Sequence, residues 1–230
     1  MKPPLLLLHG ALASAQQLKP LARALSPAFD VHPLTFGGHG GRPLVAAEFS
    51  MAQFAAEIQR YLKEKSLPPV HVFGYSMGGY AALVAALAAP ARFASITTLG
   101  TKFDWTPATA AAETRFLDAE KMQAKVPQFA AQLESLHAPT PLPELLAATA
   151  TMMRELGAAP LLTPENLAAL DLPVQILVGE LDQTAGVDAS RRFAGYLPRA
   201  TFEVVMNTPH PLEKMNPDGL ARRVARFAQA

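Results

Sequence analysis

A serine flanked by glycines is the clearest chemical feature of the sequence. Residues 74–79 read Gly-Tyr-Ser-Met-Gly-Gly, so Ser76 stands between Gly74 and Gly78 in a Gly-x-Ser-x-Gly pattern. A short apolar run at residues 70–73 precedes it, and an alanine-rich helical pattern follows until Pro90. Strand, tight turn and helix are the setting of a nucleophile elbow, in which the turn exposes the serine hydroxyl and the glycines avoid collisions. The pattern therefore predicts that Ser76 is a nucleophile, with a plain glycine-rich turn as the alternative.

A serine hydroxyl is a weak nucleophile at neutral pH, so it requires a base and a third group that orients the base. Among the six histidines, His210 has the most favourable position, because it follows the last predicted strand within Thr-Pro-His-Pro. That loop would lie beside the serine at the carboxyl edge of the sheet, and its two prolines stiffen it. His9 and His39 also follow predicted strands, whereas the other three lie within strands or in the helical region. We predict that His210 is the base.

The orienting carboxylate should lie between the serine and the histidine in chain order. Asp182, in Val-Gly-Glu-Leu-Asp-Gln, follows the penultimate predicted strand. Glu180 and Asp188 are close rivals, and Asp104 is a more distant one. We favour Asp182 because a residue or two is needed to turn the carboxylate inward from the end of the strand.

The negative charge that develops on the substrate carbonyl requires backbone N–H donors rather than particular side chains. In this arrangement one donor is the residue after the nucleophile, Met77. The second is expected from the loop that follows the first strand, where His9-Gly10 leads into Ala11. The predicted oxyanion hole therefore consists of the N–H groups of Ala11 and Met77.

Strand patterns alternate with helical patterns over most of the chain. The predicted strands cover residues 5–8, 29–34, 70–73, 95–100, 174–179 and 201–206. Ser14 and Ser50 stand where helix N-caps are expected, and Asn216-Pro217 begins the last helix. This alternation predicts the α/β class, with a mostly parallel sheet of about six strands and helices on both faces.

The strand pattern stops between residues 101 and 165, where the sequence is helical throughout with prolines as interruptions. We predict an inserted helical cap there, on a core formed by residues 1–100 and 166–230. Most apolar side chains of the cap would pack its helices together, but we expect Phe103 and Trp105 to contact the substrate. Eight acidic against five basic residues in the cap favour a small or medium uncharged substrate over a carrier-protein or coenzyme A ester.

Composition excludes several function classes. A formal net charge of +1 without a basic block argues against a nucleic-acid partner. The chain has no cysteine, no closely spaced pair of histidines on a helix and no dinucleotide-binding fingerprint, so we expect neither a metal nor another cofactor. No apolar run reaches the roughly 20 residues of a membrane span, and the run near the N-terminus is too short for a signal peptide. We expect a soluble cytoplasmic protein that acts on small molecules.

These motifs together resemble the α/β-hydrolase superfamily. The resemblance extends from Leu-Leu-Leu-Leu-His-Gly near the N-terminus, through Gly-His-Gly at residues 38–40 and the elbow, to Thr-Pro-His-Pro and the last helix. It is greatest with the capped, cofactor-independent serine hydrolases, and it implies Ser76 as nucleophile, Asp182 as acid and His210 as base. Two features depart from the usual family pattern. The chain starts at the His-Gly strand, which the family usually places third, and alanine follows His-Gly where the family often has a bulky or polar residue.

The resemblance implies an esterase that forms an acyl-enzyme. A serine at the elbow, where dehalogenases and epoxide hydrolases have an aspartate, argues against those reactions. Hydrolysis of carbon–carbon bonds, peptide-bond cleavage by an aminopeptidase, lactone opening and perhydrolysis stay open as alternatives. So does a ligand-binding module that retains the three residues without catalysis.

Overall fold

A single parallel sheet forms the centre of the structure, a computed structural model that describes residues 2–229. Its strands are β1 Pro4–Leu8, β2 Asp30–Leu34, β3 Val70–Tyr75, β4 Phe93–Leu99, β5 Val174–Gly179 and β6 Ala200–Val205. They lie in the order β2-β1-β3-β4-β5-β6, and every neighbouring pair is parallel. The prediction of a mostly parallel sheet of about six strands is confirmed.

The composition of the strands follows their position in the sheet. The inner strands β1 and β5 are buried along almost their whole length, as expected for strands covered on both faces. The edge strands β2 and β6 are largely half-exposed. Pro33 lies in β2, where a missing N–H is tolerated because the outer side of an edge strand has no partner.

Ten α-helices are present in residues 2–229. They are α1 Lys19–Leu25, α2 Met51–Glu64, α3 Met77–Ala88, α4 Pro107–Thr114, α5 Ala119–Lys125, α6 Pro127–His137, α7 Leu142–Ala158, α8 Pro164–Ala168, α9 Val187–Ala194 and α10 Pro217–Ala228. None of them is long and apolar enough to cross a membrane.

Two hydrophobic layers cover the sheet. One layer packs α1 and α10 against β1, β3 and β5 through side chains such as Leu21, Leu220 and Val224. The other packs α2, α3 and α9 on the opposite face. Helices therefore cover both faces, as the sequence predicted.

The predicted helix N-caps are present, with one difference in the helix that follows. Ser50 accepts a hydrogen bond from the N–H of Gln53, and Asn216 caps α10 in the same way. Ser14 also acts as a cap, but the first turn after it is a 3₁₀ helix, and α1 begins only at Lys19. The predicted helix from Ser14 is therefore two helical pieces in succession.

The region 101–165 holds α4 to α7 and the beginning of α8. The expectation that it is helical throughout was wrong for residues 101–106, 115–118 and 159–163, which have no regular helix or strand. Side chains of α4 and α7, among them Ala110, Leu145 and Leu156, join the same hydrophobic layer as α3. A second, smaller cluster around Met122 and Leu133 holds α5, α6 and α7 together. The division of the chain into core and cap at residues 101 and 165 stays a prediction.

Candidate active site

Ser76 lies in a strained turn between β3 and α3. Its φ of 50° and ψ of −115° fall in a region that side-chain-bearing residues seldom adopt, at a cost of about 1–3 kcal/mol. The glycines around it are required by contact. A Cβ on Gly74 would lie 2.5 Å from the Cα of Gly79, and one on Gly78 would lie 2.6 Å from the carbonyl oxygen of Leu8. The turn is thus built as a nucleophile elbow requires, with the Ser76 side chain at the carboxyl edge of the sheet.

Asp182 and His210 meet at the same edge of the sheet. Asp182 follows β5, His210 follows β6, and the Asp182 Oδ2 to His210 Nδ1 distance is 2.8 Å. The other carboxylate oxygen accepts hydrogen bonds of 2.9 Å from the N–H groups of Thr184 and Ala185. Asp182 is only 4% exposed, so these three hydrogen bonds hold its carboxylate in a fixed orientation.

The His210 loop is attached to the residue that precedes the serine. The Tyr75 hydroxyl donates a 3.0 Å hydrogen bond to the His210 carbonyl, and burial raises the pKa of Tyr75, so that the phenol keeps its proton. Gly100, at the end of β4, faces the pair, since a Cβ there would lie 2.9 Å from Asp182 Oδ2 and 3.3 Å from His210 Nδ1. Among residues 2–229 no hydrogen bond joins the Ser76 hydroxyl to the His210 ring, a contact that often forms fully only with substrate bound.

The rival carboxylates lie elsewhere. Asp104 forms an ion pair of 3.1 Å with Arg192. Glu180 accepts a hydrogen bond from a backbone N–H in the loop after β6, and Asp188 lies in the first turn of α9. In the described part of the chain, none of these three carboxylates hydrogen-bonds to His210.

The loop after β1 passes directly against the elbow. A Cβ on Gly10 would lie 2.8 Å from the Tyr75 ring and 3.3 Å from the Ser76 Cβ, so only glycine permits this approach. Ala11 follows in the loop, and Met77 opens α3 on the other side of the serine. Both line a pocket together with Ser76. The structure therefore brings the two predicted oxyanion donors and the serine to one place.

Three other histidines, His9, His39 and His137, form a buried cluster next to this loop. His9 donates from Nδ1 to the carbonyl of Gly10 and accepts the N–H of Phe36 at Nε2. Burial lowers the pKa of His9 to about 4 and lowers the pKa of both His39 and His137. These rings are therefore neutral at pH 7. Within residues 2–229 no group of three or more histidine, aspartate or glutamate side chains is placed to hold a metal ion.

A narrow pocket of about 420 Å³, including its open mouth, begins at Ser76. Its wall is largely apolar and includes Ala11 and Met77 from the core and Met152 and Met153 from α7. Helices of region 101–165 therefore form one side of the pocket.

The structure separates the two aromatic residues that were expected to contact substrate. Trp105 lines the pocket. Phe103 does not, because it is 1% exposed and its ring stacks on Phe193 at 5.3 Å. The expectation that Phe103 contacts the substrate was therefore wrong.

Sequence reasoning missed two polar features of the site. Lys102 and Glu113 both line the pocket, where the ammonium lies 3.3 Å from the carboxylate and 3.2 Å from the carbonyl of Thr184. Thr101 donates a 3.0 Å hydrogen bond from its hydroxyl to the carbonyl of Ser76 and so supports the elbow. The one available signal was that Thr101 and Lys102 closely follow β4, whose end lies at the same edge of the sheet as Ser76. Nothing in the sequence pointed to Glu113.

Comparisons with known proteins agree with this architecture. The family model of the alpha/beta hydrolase fold matches residues 3–148. The chain is 25% identical to the pimeloyl-[acyl-carrier protein] methyl ester esterase of Aliivibrio salmonicida, in a match that covers 98% of this chain and 92% of that protein. A thermophilic esterase from Thermogutta terrifontis has a similar structure, with a TM-score of 0.81 at 20% identity over 100% of this chain and 90% of that one.

The enol-lactonase of Burkholderia xenovorans is also similar in structure, with a TM-score of 0.80 at 17% identity over 100% of this chain and 92% of that one. At such identities the solved structures establish a common fold. The family match spans more than half of the chain, and the order of the six parallel strands agrees with it. The chain belongs to the α/β-hydrolase fold family.

Proposed function

We propose that the protein is a serine hydrolase that cleaves small or medium uncharged carboxylic esters through an acyl-enzyme. The observation that carries the proposal is that a strained serine turn and a histidine paired with a buried aspartate lie at the same edge of the sheet. That combination has no evident structural purpose, since the strain at Ser76 would be relieved by an ordinary turn.

The roles follow from the hydrogen bonds. The Nδ1–H of His210 donates to Asp182, which leaves Nε2 free to accept the proton of Ser76 as the hydroxyl attacks the ester carbonyl. His210 then protonates the leaving alcohol, and Asp182 stabilises the imidazolium. Water repeats the path and releases the acid.

The oxyanion that forms on attack would be held by the N–H groups of Ala11 and Met77. Neither group donates a hydrogen bond to a protein acceptor in the described residues, so both are available to substrate. Met77 is the first residue of the twelve-residue helix α3, whose N-terminal dipole also favours negative charge at this point.

Two features support an ester as the bond cleaved. The curated relative from Aliivibrio salmonicida, which matches almost the full length of this chain, is named as a pimeloyl-[acyl-carrier protein] methyl ester esterase. It supports an ester as the bond cleaved, although its name places that ester on a carrier protein. A serine nucleophile with a histidine base suits acyl transfer, and the excess of acidic residues in the cap disfavours a carrier-protein or coenzyme A ester.

The test is the turnover of p-nitrophenyl esters of increasing acyl length, alongside a matched anionic ester, a lactone and a peptide amide. We expect efficiency to rise with each added methylene, by up to about 0.8 kcal/mol, and then to fall once the narrow pocket is full. Ser76→Ala should lower turnover by several orders of magnitude without loss of fold. Efficiency that still climbs with long-chain acyl groups, or a clear preference for the lactone or amide, would overturn the proposed substrate class.

A further inference from the structure

The pocket beside Ser76 contains a lysine–glutamate ion pair in a largely apolar wall. Lys102 follows β4, Glu113 lies on α4, and their side chains are 14% and 21% exposed. Both residues line the same pocket as Ser76. A charged pair at this position is costly to desolvate and contributes little to stability, which indicates a role toward the ligand.

Hydrogen-bond donors outnumber acceptors at this end of the pocket. The ammonium of Lys102 has three N–H groups, and the described residues supply two acceptors, Glu113 at 3.3 Å and the Thr184 carbonyl at 3.2 Å. The indole N–H of Trp105, a residue only 9% exposed, is buried without a partner in the described residues. The ammonium lies 5.6 Å from the centre of the same indole ring. Two neighbouring donors therefore lack an acceptor.

The charge of the pair determines what kind of acceptor fits. A carboxylate entering the pocket would be attracted by Lys102 but repelled by Glu113, and an ammonium group would meet the reverse. An uncharged oxygen takes a hydrogen bond from Lys102 without either penalty. A hydroxyl group could also donate to Glu113.

We propose that the pocket binds esters that carry, besides the scissile ester, an uncharged oxygen such as a ketone or hydroxyl group, which accepts a hydrogen bond from Lys102. The inference rests on the proposed esterase function and specifies its substrate class. Plain alkyl esters of the same length leave the donors without an acceptor and are the poorer substrates.

A purely structural role for Lys102 makes a different prediction. Its hydrogen bond to Thr184 joins it to the loop that contains Asp182, so it could simply brace the catalytic acid. Loss of a brace would impair every ester to the same degree. Loss of a specificity contact impairs the oxygen-bearing esters more than the alkyl esters.

The experiment compares kcat/KM for p-nitrophenyl hexanoate with its 4-oxo and 5-oxo analogues, and for the matching alkyl and oxoalkyl acetates. We expect at least one oxo ester to exceed its alkyl counterpart about tenfold or more, the range of a hydrogen bond to a charged group. Lys102→Met should reduce this ratio to about one, whatever its effect on the alkyl ester. Lys125→Met, at the exposed last residue of α5, is the matched control and should leave the ratio unchanged.

Glu113→Gln supplies a second variant that does not depend on the folding of Lys102→Met. It leaves the lysine charge unpaired, so the anionic adipate monoester should gain at least about tenfold over hexanoate, and salt should weaken the gain. An unchanged adipate preference would contradict the proposal. A wild-type enzyme that prefers alkyl over all oxo esters, or an equal loss on all esters in Lys102→Met, would also overturn it. Failure of the wild type to hydrolyse any ester would instead refute the proposed function.

Discussion

Three buried histidines near the loop after β1, His9, His39 and His137, lead us to predict that the protein loses stability in mild acid. Each ring is held in a neutral form by its neighbours. His9 uses Nδ1 as donor and Nε2 as acceptor, and His137 accepts the Gly40 N–H at Nδ1 while Nε2 donates to the Leu12 carbonyl. The Nε2 atom of His39 is buried without a partner in the described residues. An added proton would therefore break a hydrogen bond or leave a buried N–H unsatisfied.

The magnitude follows from the pKa of His9. Burial lowers this pKa from its ordinary value of 6.5 to about 4, so the unfolded chain binds this proton first as the pH falls. Stability therefore rises with pH in this range and is lost between about pH 6.5 and pH 4. The 1.5 pH units between 6.5 and 5 correspond to about 2 kcal/mol from His9 alone. His39 and His137 add to the loss, because burial lowers their pKa values too.

The positive charge of Arg42 also disfavours protonation of two of the buried histidines, His9 and His39. Arg42 forms an ion pair of 2.7 Å with Glu57. Solvent-exposed charges at greater distance are screened by salt, whereas the effect of burial is not. High salt therefore distinguishes the loss of stability caused by the buried histidines, which should persist, from the loss caused by general charge repulsion, which should weaken.

The assay is urea denaturation at pH 7, 6 and 5, in low salt and in high salt. We expect the free energy of unfolding to fall by at least about 2 kcal/mol from pH 7 to pH 5 in both. His39→Asn should make the free energy of unfolding depend less on pH. Its amide can still donate to the Gly37 carbonyl, which His39 Nδ1 contacts at 3.0 Å. Stability that is constant from pH 7 to pH 5, or that increases on acidification, would refute this reasoning.

Three further predictions test the site itself. Asp182→Asn should lower kcat/KM by about three to four orders of magnitude, because an amide cannot stabilise the imidazolium, while the matched control Glu180→Gln stays within a few-fold of wild type; equal effects would refute the assignment. Tyr75→Phe removes the 3.0 Å hydrogen bond to the His210 carbonyl and should lower kcat about tenfold with little change in melting temperature, so an unchanged kcat would show that the contact is dispensable. Gly74→Ala forces a Cβ against the backbone and should cost about 1–3 kcal/mol in thermal unfolding, and a neutral effect would contradict the packing of the elbow.

Local patterns made most of the fold predictable. The burial of β1 and β5 on both faces appears in the sequence as continuous apolar runs, and the caps at Ser50 and Asn216 depend on residues within one turn. The elbow was recognisable because its strand, its glycines and its helix are adjacent in sequence. Chain order also placed Asp182 and His210 at neighbouring strand ends, which the structure brings within 2.8 Å.

Contacts between distant segments were beyond local patterns. Phe103 and Trp105 are two positions apart and would share a face in an extended segment. The chain bends there instead, because the backbone N–H of Trp105 donates a hydrogen bond to the Phe103 carbonyl. Only the Trp105 ring therefore lies in the pocket. Lys102, just after β4, pairs with Glu113 on α4. The number of charged residues in region 101–165 was evident from the sequence, but not which of them face the pocket. Likewise, His137 contacts the loop after β1 across 125 residues.

The most direct test of the central claim is labelling with a fluorophosphonate probe, followed by peptide mass spectrometry. If Ser76 is a nucleophile activated by His210, the wild-type protein should acquire one adduct, located on Ser76. The adduct should be absent from Ser76→Ala and should form at least about a hundredfold more slowly in His210→Ala. An adduct on another residue, or a Ser76 that does not react in a folded wild-type protein, would contradict the account.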